Sequence, residues 1–238
     1  DTVEEIARDK AHVAPADRPL VCGADGAART AITEEIGEIV TVGESDEDND
    51  VSVTYDGRDG LEGAVTLDGD EWHIETHLPL LGEHQAHNAG IAATLVKQVA
   101  DVSEETLGRG LRNAHWPGRF EVIGEEPLVV LDGAHNPKGC ERVAETLDSF
   151  EYEDLHVVAG AMSDKDHRGI AAAFAEASHV VACEPDRGRA EEESVVARAF
   201  EKETEANVET RSDVAGALDI ALDAASADDC VLVTGSLY

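Results

Sequence analysis

The second half of the chain alternates between short, almost continuous apolar runs and longer segments with helical periodicity. The apolar runs are PLVVLD from Pro127, LHVVAGA from Leu155, HVVACEP from His179 and CVLVTGS from Cys230. Because polar residues do not alternate with apolar ones in these runs, we predict strands that are buried on both faces. Helices are predicted at Pro137–Phe150, Asp166–Ala177, Glu191–Glu203 and Asp213–Ala225, and NVET from Asn207 is a further candidate strand. This order predicts an α/β fold with right-handed crossovers and a parallel, doubly wound sheet.

Residues 1–126 show a more mixed pattern. PLVCG and EIVTVG are predicted strands on either side of a helix at Ala28–Glu38, and Asp46–Asp50 is a predicted acidic loop. VSVTYDG, GAVTLDGD and WHIETHLPL alternate or contain Asp-Gly turns, which predicts antiparallel hairpins. Helices are predicted at Glu83–Ala100 and Ser103–Ala114, where Ser103 suits the N-cap. HWPGRFEVIGEEP contains proline and glycine but no periodicity, so we predict a domain junction at 116–126, with domains at 1–120 and 121–238.

The chain is strongly acidic, with 52 acidic and 18 basic residues and a formal net charge of −34. This balance argues against binding to a nucleic-acid backbone, because like charge repels the phosphates. Disorder is disfavoured, because 42% of the residues are hydrophobic and their pattern is periodic. The acidic residues are spread over every segment, so we interpret them as the solubilising surface of a folded protein from a salt-adapted, halophilic cytoplasm.

The cysteines and the apolar runs further restrict the class of protein to which the chain can belong. The four cysteines are far apart and include no C-x-x-C pair, which predicts neither a zinc site nor a disulfide framework and fits a reducing cytoplasm. No apolar run approaches the ~20 residues of a membrane span, and no signal peptide is recognised. The chain begins in a predicted helix, DTVEEIARDKA, and ends in a predicted strand, CVLVTGSLY, so we interpret both ends as cuts through a larger protein.

Polar residues follow the predicted strands, at the place where open parallel sheets bind ligands. These residues are Asp132, Ser163–Asp166, Glu184–Asp186 and Gly235-Ser236. Asn136-Pro137 is explained by a helix N-cap followed by proline at the first helical position. Asp132 and His135 flank a glycine that permits close backbone approach. From these residues alone, a ligand site and a simple strand–helix turn both remain open.

Two further positions are candidate contacts for an anion or a nucleotide. Arg119, in WPGRFEV, is either a surface arginine or an anion clamp beside Trp116 and Phe120. His84 and Asn88 share one face of a predicted first helical turn. Because H-E-x-x-H is absent, a nucleotide base or phosphate suits this turn better than a zinc ion.

Six segments in the same order, spread over essentially the whole chain, resemble the folylpolyglutamate synthase/dihydrofolate synthase family of the Mur ligase superfamily. They are DTVEEIARDKA, LLGEHQAHNAGIAA, WPGRFEV, LDGAHNPKG, AGAMSDKD and VTGSLY. The resemblance implies the distal part of a central ATP-binding domain over residues 1–120 and a Rossmann-like C-terminal domain over residues 121–238. It further implies an ATP- and Mg²⁺-dependent ligase. Such an enzyme converts dihydropteroate or a folate to an acyl phosphate, which the amine of glutamate attacks.

The resemblance also implies which residues bind ATP. Asn88 would contact the base, Arg119 the phosphates, and Asp132 the ribose hydroxyls or the nearby phosphate end. His135 would act as a catalytic residue beside the incoming substrate.

Other residues match the glutamate and metal sites of the family. Asp164, Lys165 and Ser236 would shape the glutamate side of the site. Lys10 matches a catalytic lysine that the family carbamylates, and a carbamate supplies an oxygen ligand that suits Mg²⁺. The metal would offset the charge that develops on the transferred phosphoryl group. The sequence departs from the family at His12, where a glycine is usual.

The chain contains no G-x-x-x-x-G-K-[ST] phosphate loop, so we expect it to be a fragment that is inactive by itself. Some members of the family are fused to dihydropteroate synthase, and such a fusion is a candidate arrangement here. Two alternatives stay open. One is a Mur-type ligase that joins a different acid to an amino acid, and the other is a non-catalytic nucleotide-binding module.

The acidic surface predicts a dependence of stability on salt. In dilute buffer the protein should unfold through repulsion among its carboxylates, and molar KCl should restore a cooperative transition by screening them. Circular dichroism melts over a series of KCl concentrations measure this effect. A cooperative, stable fold in dilute buffer would contradict the halophilic interpretation.

Overall fold

The computed structural model describes residues 2–14, 18–44 and 48–235. The chain divides into two compact units, Asp1–His115 and Trp116–Tyr238. The segment Trp116–Phe120, predicted to end the first domain, belongs to the second unit because its backbone bonds to that unit's sheet. Within the described residues, no helix is both long enough and apolar enough to cross a membrane.

In the ranges 2–14, 18–44 and 48–115, the first unit combines four helices with one mixed sheet. The helices are α1 (Val3–Ala11), α2 (Gly26–Ile36), α3 (Glu83–Val99) and α4 (Glu104–Arg112). The strands, in spatial as well as chain order, are β1 (Leu20–Cys22), β2 (Ile39–Glu44), β3 (Val51–Asp59), β4 (Glu62–Gly69) and β5 (Trp72–Leu78). β1, β2 and β3 are parallel, whereas β4 pairs antiparallel with β3 and β5. The predicted antiparallel hairpins are therefore confirmed.

Specific side chains explain where α1 and α4 begin, and a glycine explains how α3 packs. Thr2 and Glu5 form a capping box at the start of α1. The Ser103 hydroxyl caps α4, as predicted. α3 lies directly on the sheet at Gly90, where a Cβ atom would stand only 2.5 Å from Cγ2 of Val53. Any larger residue at this position would push the helix away from the core.

The second unit is a parallel sheet with one antiparallel edge strand. Its helices are α5 (Pro137–Leu147), α6 (His167–Ala172), α7 (Glu193–Glu203) and α8 (Val214–Ala224). Its strands are β6 (Glu121–Glu125), β7 (Leu128–Asp132), β8 (Leu155–Gly160), β9 (His179–Cys183), β10 (Asn207–Arg211) and β11 (Cys230–Thr234). They lie in the order β10-β9-β8-β11-β7-β6. β8 and β9 are buried along their whole length, which confirms the prediction of strands buried on both faces.

No strand was predicted within the junction region 116–126, but the structure contains one there. Residues 121–125 form β6, which pairs antiparallel with β7 at the edge of the sheet. The pairing shifts register between Val122 and Gly124. Such a bulge interrupts the alternation of side chains that identifies a strand in a sequence.

The predicted helix at Asp166–Ala177 is also too long, because α6 ends at Ala172. The Phe174 N–H bonds to the Ala171 carbonyl and the Ala177 N–H to the Phe174 carbonyl, each at 3.0 Å and each three residues back. These tighter turns direct the fully buried Phe174 ring into the core.

Asp229 forms hydrogen bonds at the beginning of three strands, β7, β8 and β11. Its Oδ2 accepts the Ser226 N–H at 2.6 Å and its Oδ1 accepts the Asp154 N–H at 3.2 Å. Its carbonyl accepts the Leu128 N–H at 2.9 Å, and Nε2 of His156 lies 3.4 Å from its Oδ2. The Ser226 N–H in particular holds the pKa of Asp229 below its ordinary value of 3.8.

Replacing this carboxylate should destabilise the second unit. We expect Asp229→Ala to lower the free energy of unfolding at neutral pH by about 1–3 kcal/mol, because two part-buried hydrogen bonds from backbone N–H groups to a charged acceptor are lost. The folded pKa of Asp229 is lowered, so this stabilisation is present above the ordinary value of 3.8 and is lost as pH falls through the folded pKa. Denaturant unfolding in molar KCl should therefore show the variant and the wild type converging in acid.

The exposed neighbour Asp228 provides the matched control, and Asp228→Ala should change stability little at any pH. Equal stability of Asp229→Ala and wild type at neutral pH would show that these bonds do not hold the strands.

Candidate active site

Parallel pairing brings the loops after β7, β8, β9 and β11 to one edge of the second sheet. In this register Asp132, the last residue of β7, lies beside Thr234 of β11. The Thr234 hydroxyl donates to the Ala134 carbonyl at 3.2 Å, which fixes the turn after β7 to β11. The edge predicted from the strand order is therefore present, and its central turn is held from two strands.

The Asp132 carboxylate is engaged by backbone N–H groups. Its Oδ2 accepts the Phe120 N–H and its Oδ1 accepts the Ala134 N–H, each at 2.7 Å. Burial raises the pKa of Asp132 above its ordinary 3.8, whereas these N–H groups and the charges of Arg119 and His135 oppose the shift. Asp132 is thus a partly buried acid that joins two loops. The Arg119 guanidinium and the His135 imidazole both interact electrostatically with its carboxylate.

Arg119 leaves the main chain between two anchored residues. Gly118, at φ 68°, accepts the Gly133 N–H at 2.9 Å. Phe120 has φ 44°, a left-handed conformation that costs a residue with a side chain about 1–3 kcal/mol. Its buried ring stacks on Phe150 with centroids 5.6 Å apart. Both residues that flank Arg119 are therefore fixed, and the role of Arg119 as an anion clamp stays a prediction.

His135 is oriented by the same turn. Its Nδ1 lies 2.9 Å from the Gly133 carbonyl. A carbonyl only accepts, so in the neutral ring Nδ1 carries the proton and Nε2 is the atom that can accept a proton from a ligand. Asn136 has the simpler role that was predicted, because its Oδ1 caps α5 by accepting the Gly139 N–H at 2.9 Å.

Asp164 and Lys165 lie on the loop after β8 and contact each other, with Nζ 3.3 Å from Oδ2 of the acid. The Lys165 contact lowers the pKa of Asp164, and the charge of Arg189 adds to this effect. The Ser163 N–H donates to the Arg189 carbonyl at 3.0 Å, so the loops after β8 and β9 are joined. Sequence reasoning missed Arg189, although a basic residue on an edge loop of so acidic a chain is a signal. Ser236 lies outside the described residues.

Asn88 and Lys10 belong to the first unit. Asn88 is exposed in the second turn of α3, and its amide donates to Oε1 of Gln85 at 3.1 Å. The neighbouring His87 ring approaches the Gly23 carbonyl, after β1, to 2.8 Å. The turn is therefore anchored to the end of a parallel strand. The predicted convergence of Asn88 with Arg119 and Asp132 on one nucleotide stays a prediction.

Lys10 is exposed in the last turn of α1. In the ranges 2–14, 18–44 and 48–235, no group of three or more His, Cys, Asp or Glu side chains could hold a metal ion. A carbamylated Lys10 as a metal ligand stays a prediction.

Comparison with known proteins identifies a family model and close relatives. The model described as "Mur ligase, glutamate ligase domain" matches residues 118–237. A probable bifunctional folylpolyglutamate synthase/dihydropteroate synthase from Haloferax volcanii is 53% identical over 242 residues, which covers 100% of this chain and 29% of the relative. A protein of the same description from Halobacterium salinarum is 51% identical over 240 residues, with the same coverage. Both sources are halophiles, in agreement with the halophilic interpretation of the charge.

A solved structure resembles the chain over both units. Mycobacterium tuberculosis folylpolyglutamate synthase complexed with ADP matches with a TM-score of 0.88 at 28% sequence identity. The match covers 99% of this chain and 57% of that protein. The chain thus spans less than a third of the two halophilic relatives and just over half of the solved one.

The proximity of Arg119 to Asp132 can be measured. Removing the guanidinium charge in Arg119→Met should raise the pKa of the Asp132 carboxyl further above its ordinary value, whereas Arg119→Lys should leave it nearly unchanged. A pH titration of the Asp132 side-chain carbon by NMR, in molar KCl, reports both variants. An identical titration in Arg119→Met and wild type would show that the guanidinium does not face the carboxylate.

Proposed function

The chain belongs to the Mur ligase family, in its folylpolyglutamate synthase/dihydrofolate synthase branch, and we propose that it forms part of an ATP-dependent ligase that adds L-glutamate to dihydropteroate or a folate. The observation that carries the proposal is the glutamate ligase match over residues 118–237. This range contains Arg119, Asp132 and His135 around one turn. Residues 1–120 would contribute the distal part of the central ATP-binding domain.

The proposed reaction has two bond-forming steps. A carboxylate oxygen of the pterin acid attacks the γ-phosphorus of ATP, and ADP leaves with the bond electrons. The glutamate amine then attacks the acyl carbon, so that an amide forms and inorganic phosphate leaves with the former carboxylate oxygen. The first step needs cations near the phosphoryl oxygens, and the second needs an acceptor for the amine proton.

Arg119 meets the first need. A guanidinium presents its N–H donors in a fixed fork that matches phosphate oxygens. Because the backbone is anchored at Gly118 and Phe120, less conformational entropy is lost when Arg119 binds an anion. The ADP complex of the Mycobacterium tuberculosis relative supports a nucleotide as the anion.

His135 suits the second need, because Gly133 holds the proton on Nδ1 and leaves Nε2 as an acceptor. Asp164 and Lys165, with Ser236, would shape the glutamate side. The Lys165 ammonium is suited to a carboxylate of the amino acid.

Residues of the first unit complete the proposed set. Asn88, exposed at the start of α3, offers an amide to the adenine base. Lys10, once carbamylated, would add an anionic oxygen ligand for Mg²⁺, and the metal would offset charge on the transferred phosphoryl group.

The whole protein is proposed to be a larger, cytoplasmic enzyme. Both halophilic relatives carry the description of a fusion with dihydropteroate synthase, which supports the same arrangement here. A full-length sequence with G-x-x-x-x-G-K-[ST] would support the ligase over the non-catalytic module, since this motif binds the phosphates. The 28% identity to a Bacillus cereus UDP-N-acetylmuramoyl-L-alanyl-D-glutamate–2,6-diaminopimelate ligase keeps another Mur-type activity as the second candidate.

The activity can be tested on the full-length protein in molar KCl with ATP, Mg²⁺ and glutamate. We expect ADP release only when dihydropteroate or a folate is added. Arg119→Ala should lower kcat/KM by about 10²–10³-fold, the usual effect of removing one preorganised donor. Arg109→Ala, at an exposed position of α4, is the matched control and should retain wild-type activity.

ADP release that requires a UDP-sugar peptide instead would assign the second candidate. Nucleotide binding without turnover on any acid would leave only the non-catalytic module. Either result would defeat the proposal.

A further inference from the structure

Both residues that flank Arg119 are held by the strand end that the nucleotide is proposed to approach. The Gly133 N–H donates to the Gly118 carbonyl at 2.9 Å, on one side of the arginine. On the other side, the Phe120 N–H donates to Oδ2 of Asp132 at 2.7 Å. The main chain around Arg119 is therefore fixed to β7 and to the turn that follows it.

The conformation of Phe120 makes the second of these bonds important. A left-handed φ of 44° at a residue with a side chain persists only where its surroundings fix it. Two contacts do so here, the bond from the backbone N–H to Asp132 and the stacking of the ring on Phe150. Without the carboxylate, φ is free to relax to a negative value, which turns the peptide between Arg119 and Phe120. The Arg119 side chain would then leave the main chain in a different direction.

Both oxygens of the Asp132 carboxylate already accept hydrogen bonds from the protein. Oδ1 accepts the Ala134 N–H and Oδ2 accepts the Phe120 N–H. A residue whose only task was to accept ribose hydroxyls would not need these two bonds. Their effect is to hold the loop of Arg119 against the turn that carries His135.

We infer that Asp132 is a positioning residue, which fixes the Phe120 backbone so that Arg119 meets a nucleotide phosphate. The inference rests on the proposed function, because it takes the phosphates of ATP as the anion. In this role Asp132 affects phosphate binding indirectly, by positioning Arg119.

A double-mutant cycle on ATP affinity tests this coupling in the full-length protein in molar KCl. Asp132→Asn keeps the size of the side chain but has one acceptor oxygen, so it cannot hold both N–H groups. We expect Arg119→Ala and Asp132→Asn each to weaken ATP binding about tenfold or more, as for one charge-assisted hydrogen bond. The double variant should be no weaker than Arg119→Ala alone. Effects that multiply would overturn the inference.

Nucleotides without ribose hydroxyls separate the two roles of Asp132. If it acts through Arg119, Asp132→Asn should keep the wild-type preference for ATP over 2′,3′-dideoxy-ATP. Loss of that preference, with multiplying effects in the cycle, would assign a direct ribose contact instead.

A measurement without nucleotide tests the positioning role of Asp132 separately from the proposed function. Hydrogen exchange of the Phe120 amide should become faster in Asp132→Asn. Asp166→Asn removes a carboxylate that caps α6 through the Gly169 N–H at 3.0 Å, and it should leave the Phe120 amide unchanged. Asp132→Glu, which keeps the charge but moves it, is the second variant if Asp132→Asn fails to fold, and it should also free the amide. Unchanged exchange would overturn the inference, whereas a wild type that does not bind ATP would defeat only the proposed function.

Discussion

The bond between the Asp132 carboxylate and the Phe120 amide joins two segments that lie 12 residues apart in the chain. It connects the end of β7 to the loop that carries Arg119, which directly precedes the edge strand β6. The same carboxylate starts the turn of His135 through the Ala134 amide. One partly buried acid therefore sets the positions of both the cation and the imidazole on which the proposed chemistry depends.

The electrostatics of the whole chain make this local order necessary. A net charge of −34 opposes the approach of the proposed ligands ATP, folate and glutamate, all of which are anions. High salt screens that field beyond a few ångströms, so that recognition depends on cations held close to the ligand. Arg119, Lys165 and Arg189 lie on loops at the carboxyl edge, where the few bases of the chain can act at short range.

Much of the fold follows from the sequence because burial leaves a simple pattern. Strands enclosed on both faces appear as unbroken apolar runs, and the Asn136 cap is readable from Asn-Pro alone. β6 was missed because a bulge and an exposed edge remove its alternation. The site was only partly predictable. The types and order of residues indicated Arg119, Asp132 and His135, but no local pattern reveals that Phe120 adopts a positive φ or that Asp132 accepts two backbone bonds.

The proposed ligase activates the carboxylate of the pterin acid as an acyl phosphate. The most direct measurement uses a pterin acid whose carboxylate carries ¹⁸O, with the full-length protein, ATP, Mg²⁺ and glutamate in molar KCl. We expect one ¹⁸O atom to appear in the inorganic phosphate for each amide formed, because the carboxylate oxygen leaves with the phosphoryl group. Amide formation with unlabelled phosphate would contradict the acyl phosphate and the ligase chemistry assigned to this edge.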